Sequence, residues 1–423
     1  MPPEAASGAG TDRIGGAESR HRAGVLGGGP AGLAAAIVAA RVLGDVVLVL
    51  RAAGQAPADT RTAALFPGTV QLLRRLGVWS ALEAQAAALT AIRIVDATGH
   101  LLKAPEALFS AREIGIAAFG YNIANEQISS ALAAAARQTA GLQIHEVGTD
   151  AGVTMTEGRP RVVLAGGPTL SLDLLIGADG RQSCARQAAG IATRAWSYPQ
   201  VAIATSFTHS RPHGGVSTEF HRAGGPLTTV PLIGTASSLV WVERPERAEA
   251  LMALDETDFV RALEHELMGL LGAIRSLGPR RAFPLAGLTA TSLSANRTVL
   301  VGEAGHVLPP IGAQGLNLGL RDAAALADCL ADAAGSPDAD PGAPGVLAAY
   351  EQARRSDVAM RAFAVDLLNR SLLPGLLPFQ ALRGAGLHVL NAVPPLRHLL
   401  IQQGLEAPGG LPRLMRETEG GMA

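Results

Sequence analysis

The chain has 423 residues, enough for two or three domains at about 150 residues each. Hydrophobic residues make up 48% and charged residues 17%, which excludes a disordered or acidic-tail protein. Lys plus Arg number 35 against 36 Asp plus Glu, a net charge of −1, and aromatics are 4%; neither a global field nor a stacking platform points to nucleic acid. In chain order, residues 1–22 have no apolar stretch of the secretory kind and carry Glu4, Asp12 and Glu18, so they are expected to form a short disordered arm. AGVLGG from Ala23 reads as a buried strand, PAGLAAAIVAARVL as a helix and DVVLVL as a second buried strand. That is one βαβ unit with parallel strands covered on both faces. A helix is expected from Val70 to Leu76, ended by Gly77, and a hairpin turning at Ala97–Thr98–Gly99. NEQISSALAAAARQT reads as a helix capped by Asn125, and DLLIGADG as another buried strand. From Trp196 to Leu293 alternating runs such as VAIATSFTH and SSLVWVE predict an antiparallel sheet, with a helix near 256–271. TVLVGEAG returns to a buried strand; LNLGLRDAAALADCLADAA and residues 344–370 read as helices, before an apolar tail interrupted by Pro and Gly.

Gly27-Gly28-Gly29-Pro30-Ala31-Gly32 fits G-x-G-x-x-G between a strand and a helix. The first glycine allows the tight turn, the second a close pyrophosphate and the third the packing of helix on strand, with the helix start facing the phosphates. The loop therefore points to a dinucleotide. The second strand ends at Arg51 where an acid for the ribose hydroxyls is expected; Arg51 either meets a 2′-phosphate, as for NADP, or is a solvated arginine beside a ribose held by other groups.

Two further motifs, DLLIGADGRQSCAR at 173–186 and VLVGEAGHVLPPIGAQGLNLGL at 299–320, follow in order. With the N-terminal loop, DTRTAAL near residue 60, LGVW at 76–79 and FGYNIANEQISSAL, they resemble the single-component FAD-dependent aromatic hydroxylases, and among them the ubiquinone-biosynthesis hydroxylases. The resemblance runs from residue 23 to about 413. It implies a mixed α/β fold: a Rossmann-like FAD-binding domain (23–90, 120–195 and 294–345), an inserted antiparallel-sheet substrate domain (91–119 and 196–293) and a helical C-terminal region (346–423). It also implies hydroxylation of a prenylated phenol by way of a hydroperoxide at flavin C4a, with dioxygen as co-substrate and a nicotinamide cofactor, NADPH rather than NADH, as reductant.

The roles carried over are specific. Gly27, Gly29 and Gly32 would hold the FAD pyrophosphate, and Arg61 and Gln127 the phosphate and ribityl region. Asp179 and Gly180 belong to the motif associated with both FAD and the nicotinamide cofactor. Glu303 stands where the family carries an Asp that hydrogen-bonds the ribityl chain. Pro309 and Pro310 would wall the isoalloxazine, with Gly312 in the same run; Gly315, Leu316 and Asn317 would offer backbone N–H groups to the flavin N1–C2=O edge. Reduced flavin is anionic there, and a helix start supplies unpaired donors and a positive dipole end.

Several residues keep two readings. Asp179 contacts cofactor or caps a turn; His306 is a base or a packed histidine; Arg186 meets a nucleotide phosphate or a local acid. His213 and His221 touch substrate or are loop histidines, and Tyr121 is a site residue or a buried tyrosine. Cys184 and Cys329 are too few for a disulfide scaffold or a four-cysteine centre; the ten histidines form no ligand pair, and no nucleophile elbow or phosphate loop is present. No side-chain base is assigned. Trp79, Trp196 and Trp241 are too scattered for the W-x-W-x-I-P run of a flavin halogenase. The rival reading is a flavin-carrying, non-catalytic subunit of a membrane-associated biosynthetic assembly. The expected location is the cytoplasm; the apolar tail 372–401, whose Pro374, Pro378, Pro394 and Pro395 break any spanning helix, either packs as core against the flavin domain or lies peripherally at the inner membrane face.

Overall fold

Two large sheets share the chain. The computed structural model describes residues 18–52, 59–98, 105–148, 151–164, 167–335, 339–372 and 410–417. In the first sheet five strands run parallel in the order 298–300, 169–177, 18–26, 46–51, 142–147. The short strand Ser294–Ala295 and the hairpin 152–163 add antiparallel edges. The central strands are apolar because helices cover them: Val46, Val47 and Leu48 are fully buried.

The helices Pro30–Leu43, Asn125–Arg137 and Gln314–Ala333 pack together on this sheet. Residues 32–40 are all buried, and the run of alanines lets the first helix approach closely. Gly319 makes the same allowance from the other side. A Cβ there would stand 3.1 Å from the Gly302 Cα and 3.2 Å from the Ala31 Cβ.

The second sheet is largely antiparallel, ordered 306–307, 281–290, 193–209, 236–243, 225–232, 216–222, 91–96, 107–110. Its longest strand, Thr193–His209, shifts register between Ser197 and Val201, around Pro199. Phe207, Phe220, Leu227, Leu239 and Trp241 face the helices Pro245–Ala253 and Glu256–Glu266, forming a separate apolar core. The other face carries Ala202, Val242 and Leu285 against Tyr198. A small three-stranded sheet, 62–65, 121–124 and 87–88, stands beside it, tied on by Thr62 and Asn122, which donate to Ser238 Oγ.

Several expectations are corrected. The arm does not extend to residue 22: Glu18–Arg22 are already strand, because Glu18 to His21 register against Thr169–Leu172. The helix expected from Val70 starts at Pro67, with Pro at its first position, where a missing N–H costs nothing. Asn125 is not a cap but the first helical residue, and its side chain donates to Asp59. The hairpin after Asp96 returns only at Ala107–Ser110. Residues 1–17 and most of the apolar tail, 373–409, lie outside the described residues. Beyond the tail, Leu411 and Met415 pack against Gly68, and Arg413 pairs with Asp328.

Candidate active site

The three motifs converge at the carboxyl ends of the parallel strands. Gly27 sits at φ +118°, and a Cβ there would lie 2.1 Å from the Ala178 carbonyl oxygen; only glycine fits. A Cβ on Gly32 would come within 2.2 Å of the Gly27 oxygen, so these two glycines serve the contact of strand, turn and helix. Gly29 differs: a Cβ there would meet no protein atom within 4 Å, so its surface faces open space. Gly29 is also the N-cap of the helix Pro30–Leu43 and offers no capping side chain. The first-turn N–H groups thus lack a side-chain acceptor and form an anion-binding end.

Asp179 adjoins this turn. Its Oδ2 accepts from the Ala185 N–H and the Cys184 thiol, both at 3.1 Å. Its Oδ1 is buried and has no hydrogen-bond partner. A carboxylate oxygen left so is costly unless a ligand donor completes it, which fits a hydroxyl-bearing cofactor. Asp179 is therefore both a cap and a group with an open acceptor. Gly180 takes φ +80° in the turn. Burial, with Asp179 adding, pushes the Cys184 thiol up to about 12. Arg186 is 6% exposed and donates to the Ala304 and Arg181 carbonyls, and the Asp179 charge acts on it without a hydrogen bond.

The strand Thr298–Leu300 leads into the turn Gly302–Ala304, and the chain then crosses to the second sheet at His306–Val307. Glu303 is exposed on that turn. Arg61 forms a two-pronged pair with Asp59, at 2.7 and 2.8 Å, and lies over the Phe283 ring. The Asp59 hydrogen bond raises the Arg61 pKa, and the Glu303 charge adds to it, so these groups share one electrostatic neighbourhood. Burial alone would raise Asp59; Arg61 and Asn125 outweigh it and hold its carboxyl below the ordinary range. Gln127 is exposed on the first turn of its helix, and Arg51 is exposed at the end of its strand.

Pro309 is buried and Pro310 exposed in the loop that follows. Gly312 at φ +65° and Ala313 at φ +53° are both left-handed, and the helix Gln314–Ala333 then begins. The amides without an intrahelical acceptor are those of Gln314, Gly315 and Leu316, and a Cβ on Gly315 would meet nothing within 4 Å. Asn317 lies one residue deeper. Its buried side chain accepts from the Phe66 N–H and Thr69 Oγ1, and donates to the Ala64 and Ala313 carbonyls, fastening the helix start to the 62–69 segment.

His306 is 2% exposed, with Nε2 at 2.6 Å from Asp322 Oδ2, and is thus a packed, paired histidine. His213 bonds the Leu232 carbonyl and the Gly215 N–H, and His221 bonds Glu219. Tyr121 is half-buried, edge-on to Trp79. Sequence reasoning missed a buried ionic chain on the last two long helices. Asp322 also accepts from the Gly302 N–H and from Arg354. Arg354 reaches Asp357, which also binds Arg321 and Arg361, and Arg361 reaches Gln314. The available signal was the spacing of Arg354, Asp357 and Arg361 at three and four residues, one face of a helix.

Residues 20–365 match the family described as FAD binding domain. The chain belongs to that family. Ubiquinone hydroxylase UbiL of Rhodospirillum rubrum is 33% identical over 368 residues, covering 85% of this chain and 83% of its own. The 3-demethoxyubiquinol 3-hydroxylase of Escherichia coli is 29% identical, covering 90% of this chain and 97% of its own. The crystal structure of p-nitrophenol 4-monooxygenase PnpA from Pseudomonas putida matches with a TM-score of 0.73 at 18% identity, over 92% of this chain and 99% of that one, and so shares the fold. The protein is an FAD-dependent monooxygenase related to the hydroxylases of ubiquinone biosynthesis. Its open glycine surfaces and the unpaired Asp179 oxygen fit FAD.

Proposed function

We propose that the protein hydroxylates the aromatic ring of a polyprenylated phenol in ubiquinone biosynthesis, using dioxygen, with NADPH as the source of electrons. The observation that carries this reading is the convergence of the Gly27–Gly32 turn, Asp179 and the Gly302–Ala304 turn at the carboxyl ends of the parallel strands, in a chain 33% identical to a ubiquinone hydroxylase. FAD bound there supplies the electron transfer and oxygen activation.

The residues then have distinct tasks. Gly29 would admit the pyrophosphate against the first helix start, and Asp179 Oδ1 would accept a hydroxyl. Gly180 gives the tight turn beside it. Glu303 would hold the ribityl chain, and Arg61 and Gln127 the phosphate and ribityl region. Pro309, Pro310 and Gly312 shape the wall next to the ring system. Gly315 and Leu316 would offer amides to the edge where negative charge gathers on reduction, as donors already in place. The second sheet, which the chain joins at His306–Val307 just after the Glu303 turn, would help to exclude water from the ring. No side-chain base is required, because the phenol ring itself is electron-rich. The apolar tail and the end of the helix Pro344–Leu372 bring the enzyme to the membrane surface, where a polyprenyl substrate resides; among the described residues no helix is long and apolar enough to cross a membrane.

The test is reconstitution with FAD, NADPH and a short-chain prenylated phenol. Substrate-dependent NADPH oxidation with a product carrying one added oxygen is the expected result. Tight FAD binding without turnover would identify a carrier subunit instead.

A further inference from the structure

We infer that the buried chain Asp322–Arg354–Asp357–Arg361 is a positioning and charge-setting device for the helix start at Gln314, tuning how tightly reduced flavin is held relative to oxidised flavin. Its members are among the most buried charged groups of the chain: Asp322 and Asp357 at 0% exposure, Arg354 at 2%, Arg321 at 3% and Arg361 at 7%. Three guanidiniums face two carboxylates, so the cluster carries excess positive charge. In a low-dielectric interior that excess is weakly screened.

Its two ends are placed with purpose. One end is Asp322 Oδ2, which binds the Gly302 N–H at 3.0 Å and so fixes the turn that carries Glu303. The other is Arg361, which donates to Gln314 Oε1 at the first residue of the helix. Between them lies the loop 303–313. Ala313 there is left-handed without being glycine, a conformation that persists only when its surroundings hold it. The Arg361–Gln314 bond and the Asn317–Ala313 bond hold it from two sides. A network serving stability alone has no need to end on the residue that opens the donor-bearing turn. Asp357 takes its charge from this arrangement: burial opposes ionisation, yet Arg321, Arg354 and Arg361 lower its carboxyl to about 2. Asp357 is therefore ionised across the working pH range.

The inference rests on reading this helix start as the flavin edge. The test compares Gln314→Leu, which cuts the bond and keeps every charge, with Arg361→Gln, which removes one charge, and Arg361→Lys as the conservative variant. FAD affinity is titrated in the oxidised form and again under dithionite. The expected result is selective weakening of the reduced form in Gln314→Leu and Arg361→Gln. A tenfold change in the affinity ratio appears as a fall of about 30 mV in the two-electron potential. Arg361→Lys should recover part of the shift. Equal weakening of both forms, the mark of a merely structural role, overturns the inference, as does an unchanged ratio. If Arg361→Gln does not fold, Gln314→Leu and Arg361→Lys decide alone. A wild-type protein that takes up no FAD would overturn the cofactor reading itself, a distinct failure.

Discussion

Replacing Asp357 by Asn should destabilise the protein more than any other single change on the helix Pro344–Leu372. Asp357 is fully buried, accepting from Arg321 at 2.9 Å, Arg354 at 2.9 Å and Arg361 at 2.7 Å. Holding its carboxyl at about 2 instead of the ordinary 3.8 corresponds to about 2 kcal/mol at neutral pH. The amide also removes a counter-charge from Arg321, Arg354 and Arg361, of which Arg354 keeps Asp322, and breaking a buried pair in this way costs about 3–5 kcal/mol in all. The pH dependence has a definite sign. The folded-state pKa is depressed, so the contribution is fully present above the unfolded value and is lost as pH falls from 3.8 towards 2. Urea unfolding followed by circular dichroism at pH 7 measures the difference, and a series taken downward in pH measures the linkage. Adding Arg321→Met to Asp357→Asn should recover part of the loss, because one orphaned charge is then removed. A loss below about 1 kcal/mol at pH 7, with an unaltered acid profile, would show that the network is not ionised as drawn.

The two glycines of the first turn should separate. Gly27→Ala should abolish folding, since its Cβ meets the Ala178 oxygen at 2.1 Å; Gly29→Ala should fold normally, within about 0.5 kcal/mol, yet bind FAD at least about tenfold more weakly. Equal apoprotein stability of the two by thermal unfolding would contradict this. Arg51→Glu should tighten FAD by about 1–2 kcal/mol if it restores a charged hydrogen bond to the ribose, read by flavin fluorescence titration; weaker binding would mean that Arg51 itself contacts the cofactor. Burial, with Asp179 adding, puts the Cys184 thiol at about 12, and burial with Asp328 puts Cys329 at about 11. Iodoacetamide at pH 8 should therefore modify Cys184 in the folded protein on the order of a thousandfold more slowly than a free cysteine, and unfolding should restore the ordinary rate.

The parts of the site legible in the sequence are those where backbone geometry leaves few choices of residue. Gly27 and Gly32 could be assigned because a Cβ is sterically impossible, and the strands beside them because burial on both faces forces apolar runs. Gly315 was legible for the same reason as Gly29: open space at a helix start. What escaped was fixed by distant partners. Asn317 reads as one more residue of a motif, yet four bonds to residues 64–69 and 313 occupy its side chain. Arg186 was weighed against anions because charge suggests charge, while its guanidinium serves two carbonyls. Asp322, Arg354 and Asp357 were passed over because charged residues on helices are ordinarily solvated. Only the packing of the two long helices against the Gly302 turn brings them together. The early start of the first strand had a similar cause: Glu18–Arg22 are polar, and pairing with residues 169–172 rather than hydrophobicity makes them strand.

The same packing leaves one face of the last long helix to be accounted for, and it bears on where the enzyme works. Val358, Ala362 and Val365 are buried, while Met360 is 48%, Phe363 67% and Leu367 50% exposed. The exposed three recur at spacings of three and four, so they form one apolar stripe on the solvent side. The stripe leads into residues 373–409, whose sequence is rich in Leu, Val and Ala around Arg383, Arg397, His388 and His398. A membrane surface would accommodate both features, taking apolar side chains into the headgroup boundary and basic ones against anionic lipid. Burying a large apolar side chain is worth about 1.5–3 kcal/mol. Phe363→Glu with Leu367→Glu should therefore weaken sedimentation with anionic vesicles by tenfold or more, the added negative charges working in the same direction. Because both positions are exposed, bound FAD and its absorption spectrum should be unchanged. Undiminished vesicle binding by the double variant would remove the stripe from the membrane reading. Loss of flavin together with binding would show instead that this face packs inside the protein.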